Sequence, residues 1–318
     1  MAPSRSSADA LDGKLVVILG GSGFLGNYVA QQLLEAGARL RVASRNPEKG
    51  FGLKPLANLG QLQFARCDIT SDASVEAVMQ GAEAVINLVG SFEGNLIEIM
   101  GRGAGRAARA AKEAGARSFV QISAIGADMD SETDYAQGKA IGEKLVREEF
   151  PKATIVRPSI VFGKDDNFLN MFADLIRMMP VLPVFGPQSE LQLAYVDDVA
   201  TAIVTALADP AAHGGETYEL GGPERLTMMD VNQRIADAQR RSRTFLPMPD
   251  AVSGLFAAMP LTPMGTDQWK LLQKGSVVAP DAKGFAELGI DPKPLDLFLD
   301  RWMKRYRKHG RFGVQAKG

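Results

Sequence analysis

The chain has 318 residues, enough for one large α/β domain or a main domain with a smaller lobe. Its 46% hydrophobic and 23% charged content is ordinary for a globular protein, and a net charge of -1 excludes the basic excess of a nucleic-acid binder. A single cysteine, Cys67, excludes an internal disulfide framework, and two histidines, His213 and His309, leave little material for a transition-metal site. No run reaches the length of a membrane-spanning helix, so the default compartment is the cytoplasm.

Residues 1–13 are rich in Ser and Ala, without the apolar core of a signal peptide, and read as a disordered leader. Leu15 to Leu19 is an apolar, β-branched run that leads into Gly20-Gly21-Ser22-Gly23-Phe24-Leu25-Gly26, and Asn27 to Ala36 then reads as a helix ending at Gly37. Strand, tight glycine turn and helix together bring a helix N-terminus close to a pyrophosphate, whose charge the free N–H groups and the helix dipole stabilise. Leu40 to Ser44 and Leu62 to Ala65 read as strands two and three, Val75 to Met79 as a short helix, and Ala84 to Val89 as a fourth buried strand. Ile97 to Ala114 is a long alanine-rich helix, Ser118 to Ser123 a fifth strand, Tyr135 to Glu149 a helix, and Thr154 to Arg157 a sixth strand. Such alternation predicts a doubly wound parallel sheet.

From about Lys164 the rhythm loosens. Met171 to Met179 is helical, a proline-rich run covers residues 180–187, and Tyr195 to Ala208 with Thr217 to Leu220 reads as a return to the sheet. The expected organisation is a dinucleotide-binding domain over residues 14–163, rejoined by 193–222. Residues 164–192 and 223–318 would form a smaller substrate or partner lobe.

Within this frame, Gly20 to Gly26 would hold the pyrophosphate. After strand two, where an NAD site usually offers a carboxylate to the ribose, the chain reads Ser44-Arg45-Asn46. An arginine there can pair with a 2′-phosphate and stack on adenine, which favours NADP(H), with NAD(H) as the alternative and a solvated surface arginine as the plain reading. Asp68 and Ile69 suit an adenine contact, and Leu88-Val89-Gly90 lets backbone approach the cofactor. Tyr135 and Lys139 lie four residues apart at the start of a helix, on one face. Ser123 closes the fifth strand, either to orient a substrate oxygen or simply to satisfy the strand end.

The Gly-x-x-Gly-x-x-Gly spacing, the Tyr135–Lys139 pair, Arg157-Pro158, Val161-Phe162-Gly163, Val196-Asp197-Asp198-Val199-Ala200 and Leu220-Gly221-Gly222-Pro223 resemble the extended and atypical short-chain dehydrogenase/reductases (SDRs). The resemblance implies a Rossmann-type sheet with a smaller C-terminal lobe, Tyr135 as proton donor, Lys139 as the group that lowers its pKa and holds the nicotinamide ribose, and Ser123 as its partner. Pro158 joins the cofactor contacts on the same ground. Residue 124 is alanine where the family usually has a second hydroxyl, which weakens the case for turnover.

More narrowly, Val85-Ile86-Asn87-Leu88-Val89-Gly90, Gly142-Glu143-Lys144, the string from Phe162 to Asn170 and Leu288-Gly289-Ile290 are similar to the nucleotide-binding accessory subunits of respiratory complex I and their bacterial relatives. That similarity implies NADPH as a structural cofactor, complex I subunits as partners, and a peripheral place on the cytoplasmic face of a bacterial inner membrane. The other class left open is a free-standing NADP(H)-dependent reductase, dehydrogenase or epimerase of a small carbonyl or sugar-like substrate.

Two distal segments invite a docking role. Leu255 to Met264 is apolar and rich in Met and Pro, and Leu295, Phe298, Leu299, Trp302 and Tyr306 recur at helical spacing before a basic end that includes Lys304, Arg305, Arg307, Lys308 and Arg311. They could meet a membrane surface or a partner, or pack into their own core. The resemblance favours docking.

Overall fold

A computed structural model describes residues 10–249 and 265–308. The described chain forms two compact units. The first takes in residues up to Pro158, Val196–Leu220 and Val278–Asp291; the second takes in Ser159–Tyr195, the described part of 221–277, and residues from Pro292.

The first unit is a seven-stranded sheet. In chain order its strands are β1 (Leu15–Leu19), β2 (Arg39–Ser44), β3 (Leu62–Arg66), β4 (Ala84–Asn87), β5 (Ser118–Ile122), β6 (Thr154–Pro158) and β11 (Thr217–Leu220); β7–β10, β12 and β13 belong to the second unit. The spatial order is β11-β6-β5-β4-β1-β2-β3, with every pairing parallel. Strands buried on both faces read as apolar runs rather than alternations, which is why β1 and most of β4 were legible. The order reverses between β1 and β4, so a crevice opens past their carboxyl ends, where open sheets of this kind bind ligands.

The helices follow the expected sequence with shifted ends. The glycine-loop helix runs Phe24–Glu35, and the next runs Asp72–Met79, with the Ser71 side chain accepting from the Ser74 N–H. The alanine-rich helix is not uniform: Ile97–Arg102 is a π turn that continues into an α-helix over Gly103–Glu113. Ala104, Ala107, Ala108 and Ala111 are fully buried in one core with β1 and β4 residues, small side chains letting helix and sheet approach closely.

Two boundaries differ from expectation. Of the leader, residues 10–13 are described; Leu11 is buried, and the Gly13 N–H donates to the Gly37 carbonyl at 3.0 Å, so order reaches back past Lys14. At the other end, Val278–Asp291, with the Leu288-Gly289-Ile290 segment, returns to the first unit rather than staying in the distal lobe. Its anchors are the Glu219 N–H donating to Lys283 O and the Ala279 N–H donating to Glu219 Oε2. These are bonds to the edge strand β11, which leave no apolar period in the sequence.

The second unit holds β7 (Val161–Phe162), β8 (Val181–Val184), β9 (Glu190–Leu191), β10 (Ala194–Tyr195), β12 (Leu226–Thr227) and β13 (Thr244–Pro247), in two-stranded pairs. Helices Asn167–Met178 and Met228–Ala238 pack over a core that includes Phe162, Leu169, Ile176, Leu193 and Val231. Asp166 is buried and caps the first of these helices: its carboxylate accepts the Gly163 N–H at 3.0 Å and the Leu169 N–H at 2.6 Å, while burial raises its pKa. Asn170 donates to Lys164 O and Asp166 O and accepts from Arg305 and the Tyr306 hydroxyl. The Lys164-Asp165-Asp166-Asn167-Phe168-Leu169-Asn170 string thus closes a loop, starts a helix and ties down the C-terminal helix.

That tie changes the reading of the terminus. Leu295, Leu299, Met303 and Tyr306 are buried in the second unit's own core, and Phe298 stacks between Tyr195 (4.1 Å between ring centroids) and Trp302 (4.8 Å). The apolar face expected to dock is largely used internally. The other docking segment, residues 255–264, lies outside the described residues, as do His309 and Arg311. Among the described residues no helix is long and apolar enough to cross a membrane.

Candidate functional site

A cavity of about 570 Å³ opens at the crevice between β1 and β4, entirely within the first unit. Gly20, Ser22, Gly23, Phe24, Leu25 and Gly26 line one wall; Ser44 and Arg45 stand at the end of β2, Asp68 and Ile69 after β3, and Leu88, Val89 and Gly90 after β4. Gly21 does not reach the lining and instead packs against Ile18.

The wall is built to admit backbone contact. Gly20 holds φ +75°, and a Cβ there would meet the Leu88–Val89 peptide at 3.2 Å. A Cβ at Gly26 would lie 2.5 Å from the Gly21 carbonyl, so only glycine lets the helix close on the turn. The helix that follows has Gly23 as its N-cap, no side-chain cap and no acidic residue in its first turn. Its dipole and N–H groups are therefore directed at the cavity with no protein carboxylate competing for them, which fits the pyrophosphate of a dinucleotide.

At the β2 end the Ser22 hydroxyl donates to Ser44 Oγ at 2.8 Å, fastening the glycine turn to the neighbouring strand. Arg45 is exposed, and its charge helps hold the Asp68 carboxyl below its usual range, after hydrogen bonds from the Thr70 N–H and hydroxyl. Lys49, missed in the sequence, adds a second cation to the Arg45 rim. It sits in the 3-10 segment Pro47–Leu56, whose lack of clear periodicity hid it. Leu19, Ala43, Asn46, Cys67, Thr70, Ser91 and Ile99 complete the lining. The Cys67 thiol is buried and its pKa raised by that burial, so it lines the wall as a neutral thiol.

Ser123, Tyr135, Lys139 and Pro158 stand outside this lining. Pro158 accepts the Ile125 N–H at 3.2 Å, a backbone role. Tyr135 and Lys139 follow the N-cap Thr133 of helix Asp134–Glu149 on one face, and the Lys139 ammonium lies 5.9 Å from the Tyr135 ring centre. The ammonium donates to Ile122 O at 3.1 Å and Val89 O at 3.4 Å. It therefore fixes the ends of β4 and β5. The Ser123 hydroxyl is buried with no partner among the described residues, beside Ala124.

The electrostatics run against the expected activation. Burial pushes Tyr135 up to about 12 and brings Lys139 down to about 8, with Glu143 partly opposing the latter. Tyr135 is half-buried, under the stacked ring of Phe92, and no charge brings its phenol toward neutrality. Because the folded chain holds the Lys139 proton less tightly than the unfolded chain, stability gains from this residue as pH rises from about 8 to its ordinary value of 10.5. Tyr135 acts oppositely from its ordinary value of 10.0 upward, since the folded chain keeps that proton longer. Urea titrations across pH 7.5 to 10 will show a rise that Lys139→Met lacks; identical pH profiles would contradict the buried ammonium.

Away from the cavity, Arg157 on β6 meets Glu143 through two hydrogen bonds of 2.8 and 2.7 Å, and Glu219 on β11 at 3.3 Å. Glu219 also accepts the Ala279 N–H at 3.0 Å, so one guanidinium joins helix 134–149, two strands and the returning segment. The buried Asn87 and Gln121 amides bond each other across β4 and β5 at 2.9 Å, and Asn87 Oδ1 accepts the Val89 N–H.

The NAD dependent epimerase/dehydratase family model matches residues 16–221, the stretch that builds this sheet and site. The chain belongs to that family. Across nearly its whole length it is also similar to complex I subunits. It is 32% identical to NADH dehydrogenase (ubiquinone) 1 alpha subcomplex subunit 9, mitochondrial, of Mus musculus, over 96% of this chain and 84% of that one. Identity to the Arabidopsis thaliana subunit of the same name is also 32%, over 95% and 80%. Ceramide reductase of Caulobacter vibrioides is 32% identical over 62% of each chain. Among solved structures, the Citrobacter sp. triphenylmethane reductase complexed with NADP(H) superposes with a TM-score of 0.74, over 90% of this chain and 99% of that one, at 17% identity. The family member described here has the Rossmann-type fold expected.

Proposed function

We propose that this chain is an NADP(H)-binding accessory subunit of respiratory complex I in which the nucleotide is chiefly a structural ligand. The observation that carries the partner is the 32% identity to the mouse complex I subunit over 96% of the chain. A nicotinamide dinucleotide suits the glycine cradle, with its pyrophosphate on the Ser22–Leu25 backbone and its adenosine toward Arg45, Asp68 and Ile69. When bound, such a group supplies hydride-transfer chemistry. The chain's own residues favour holding it: Lys139 is engaged by two main-chain carbonyls, Tyr135 keeps its proton, and Ala124 supplies no hydroxyl.

Its place follows from the partner. The protein is peripheral on the membrane that carries the complex, which in a bacterium is the cytoplasmic face of the inner membrane. With the 295–306 apolar face largely used in its own core, attachment runs through other subunits of the complex rather than through that face. The second reading, a free-standing NADP(H)-dependent reductase, is favoured by the Tyr135–Lys139 pair and by the likeness to the ceramide reductase. Turnover of a carbonyl substrate that Tyr135→Phe abolishes would establish it.

Arg45 and Lys49 favour NADP(H) over NAD(H). A charge-assisted contact to a 2′-phosphate contributes roughly 1.5–3 kcal/mol, so NADPH should bind at least about tenfold more tightly than NADH. Arg45→Asp will narrow or reverse that preference. Equal affinities in calorimetry, before and after the substitution, would contradict it.

A further inference from the structure

The loop after β4 carries Phe92 to Tyr135. The two rings stack with centroids 4.6 Å apart and planes only 9° from parallel. Phe92 remains 52% exposed, so one face covers the tyrosine and the rest meets solvent. The loop is held in that place: Ser91 Oγ donates to Glu93 O at 2.8 Å and accepts the Glu93 N–H at 3.0 Å, and Gly94 turns the chain at φ +84°. Just upstream, Gly90 and Ser91 line the cavity, while Lys139 holds Val89 O. Chain continuity therefore sets Phe92 between the cavity rim and Tyr135.

We propose that Phe92 is the residue that closes Tyr135 to carbonyl substrates, occupying the space a substrate would need beside the phenol and the cavity rim. A large apolar ring half in water is retained because it gains an aromatic partner there, an arrangement stabilised beyond simple area burial. A carbonyl must come within hydrogen-bond reach of the phenol, about 3 Å, to receive its proton, and the Phe92 ring stacked on one face of the tyrosine narrows the room for that approach. The inference rests on the structural-nucleotide reading and supplies its cause: the family's tyrosine is present but covered, so bound nucleotide is kept and not consumed. It also makes the loop residue, rather than Ala124 alone, the determinant of silence.

The test uses the full chain with NADPH, tetranitromethane to nitrate accessible tyrosine, and 9,10-phenanthrenequinone as a carbonyl probe. Phe92→Ala is expected to speed nitration of Tyr135, located by peptide mapping, by about tenfold, the factor that loss of a stacked pair allows. It is also expected to start NADPH-dependent reduction of the quinone that Tyr135→Phe removes again, while NADPH affinity stays within about twofold. Phe92→Tyr, which keeps the stack, should stay closed. Nitration of Tyr135 equally fast in wild type and Phe92→Ala, or nitration without any quinone reduction in Phe92→Ala, would overturn the proposal. If wild-type protein fails to bind NADPH, the functional reading falls, while the nitration rates still report on Phe92.

Discussion

Gly26→Val will abolish nucleotide binding. The new Cβ would sit 2.5 Å from the Gly21 carbonyl and 2.7 Å from its Cα, main-chain atoms that cannot rotate away. Relief requires the helix to move off the turn, which separates the N–H groups of Ser22 to Leu25 from the position a pyrophosphate takes. The packing cost is about 3 kcal/mol or more, at the upper end of overpacking penalties. Loss of the cradle should reduce NADPH affinity at least about a hundredfold. Calorimetric titration of NADPH into the variant, with circular dichroism to confirm a folded sheet, checks this. Unchanged affinity would mean that the glycine loop is not the binding wall.

The second large effect lies away from the cavity. Arg157→Met will destabilise the first unit by about 3 kcal/mol, because Glu143 and Glu219 would be left mostly buried without their shared cation. Arg157 retains 28% side-chain exposure, so water reaches the site and the cost falls at the lower end for a broken buried pair. A melting temperature lower by roughly 6–10 °C is expected for a unit of this size. Adding Glu143→Gln should recover part of the loss, since it removes one stranded charge. Additive single and double effects in urea unfolding would show that the ion network is not a unit.

Much of the first unit was legible because its physics is local. Parallel strands buried on both faces give short apolar runs, and a glycine turn between strand and helix marks the ligand crevice. The same locality brought Ser44, Arg45, Asp68 and Leu88 to the cavity from three strand ends. Lys49 was not legible, since a segment without amphipathic period gives no sign of which side chains face inward. The Arg157 network was hidden for another reason: its carboxylates lie 14 and 62 residues away in sequence, Glu219 brought alongside by the parallel pairing of β6 with β11 and Glu143 by the helix over residues 134–149.

Motif and chemistry parted company at Tyr135. The four-residue spacing to Lys139 placed both on one helix face, as expected. What the spacing could not convey was the neighbourhood: the ammonium is turned to Ile122 O and Val89 O, and the phenol lies under Phe92. At the C-terminus the helical repeat was read accurately, yet the same pattern serves a partner or the chain's own core. Asn170, which accepts from Arg305 and Tyr306, is among the contacts that turn it inward, and nothing in residues 295–306 alone announces that.

The central claim is that the chain holds NADP(H) as a member of complex I. The most direct measurement is native affinity purification of the tagged full chain under mild detergent, with identification of both co-purifying proteins and nucleotide released on denaturation. The account predicts complex I subunits together with NADP(H) in near-equimolar amount to the chain. A protein recovered alone, with no respiratory subunits and with NAD(H) or no nucleotide on release, would contradict it.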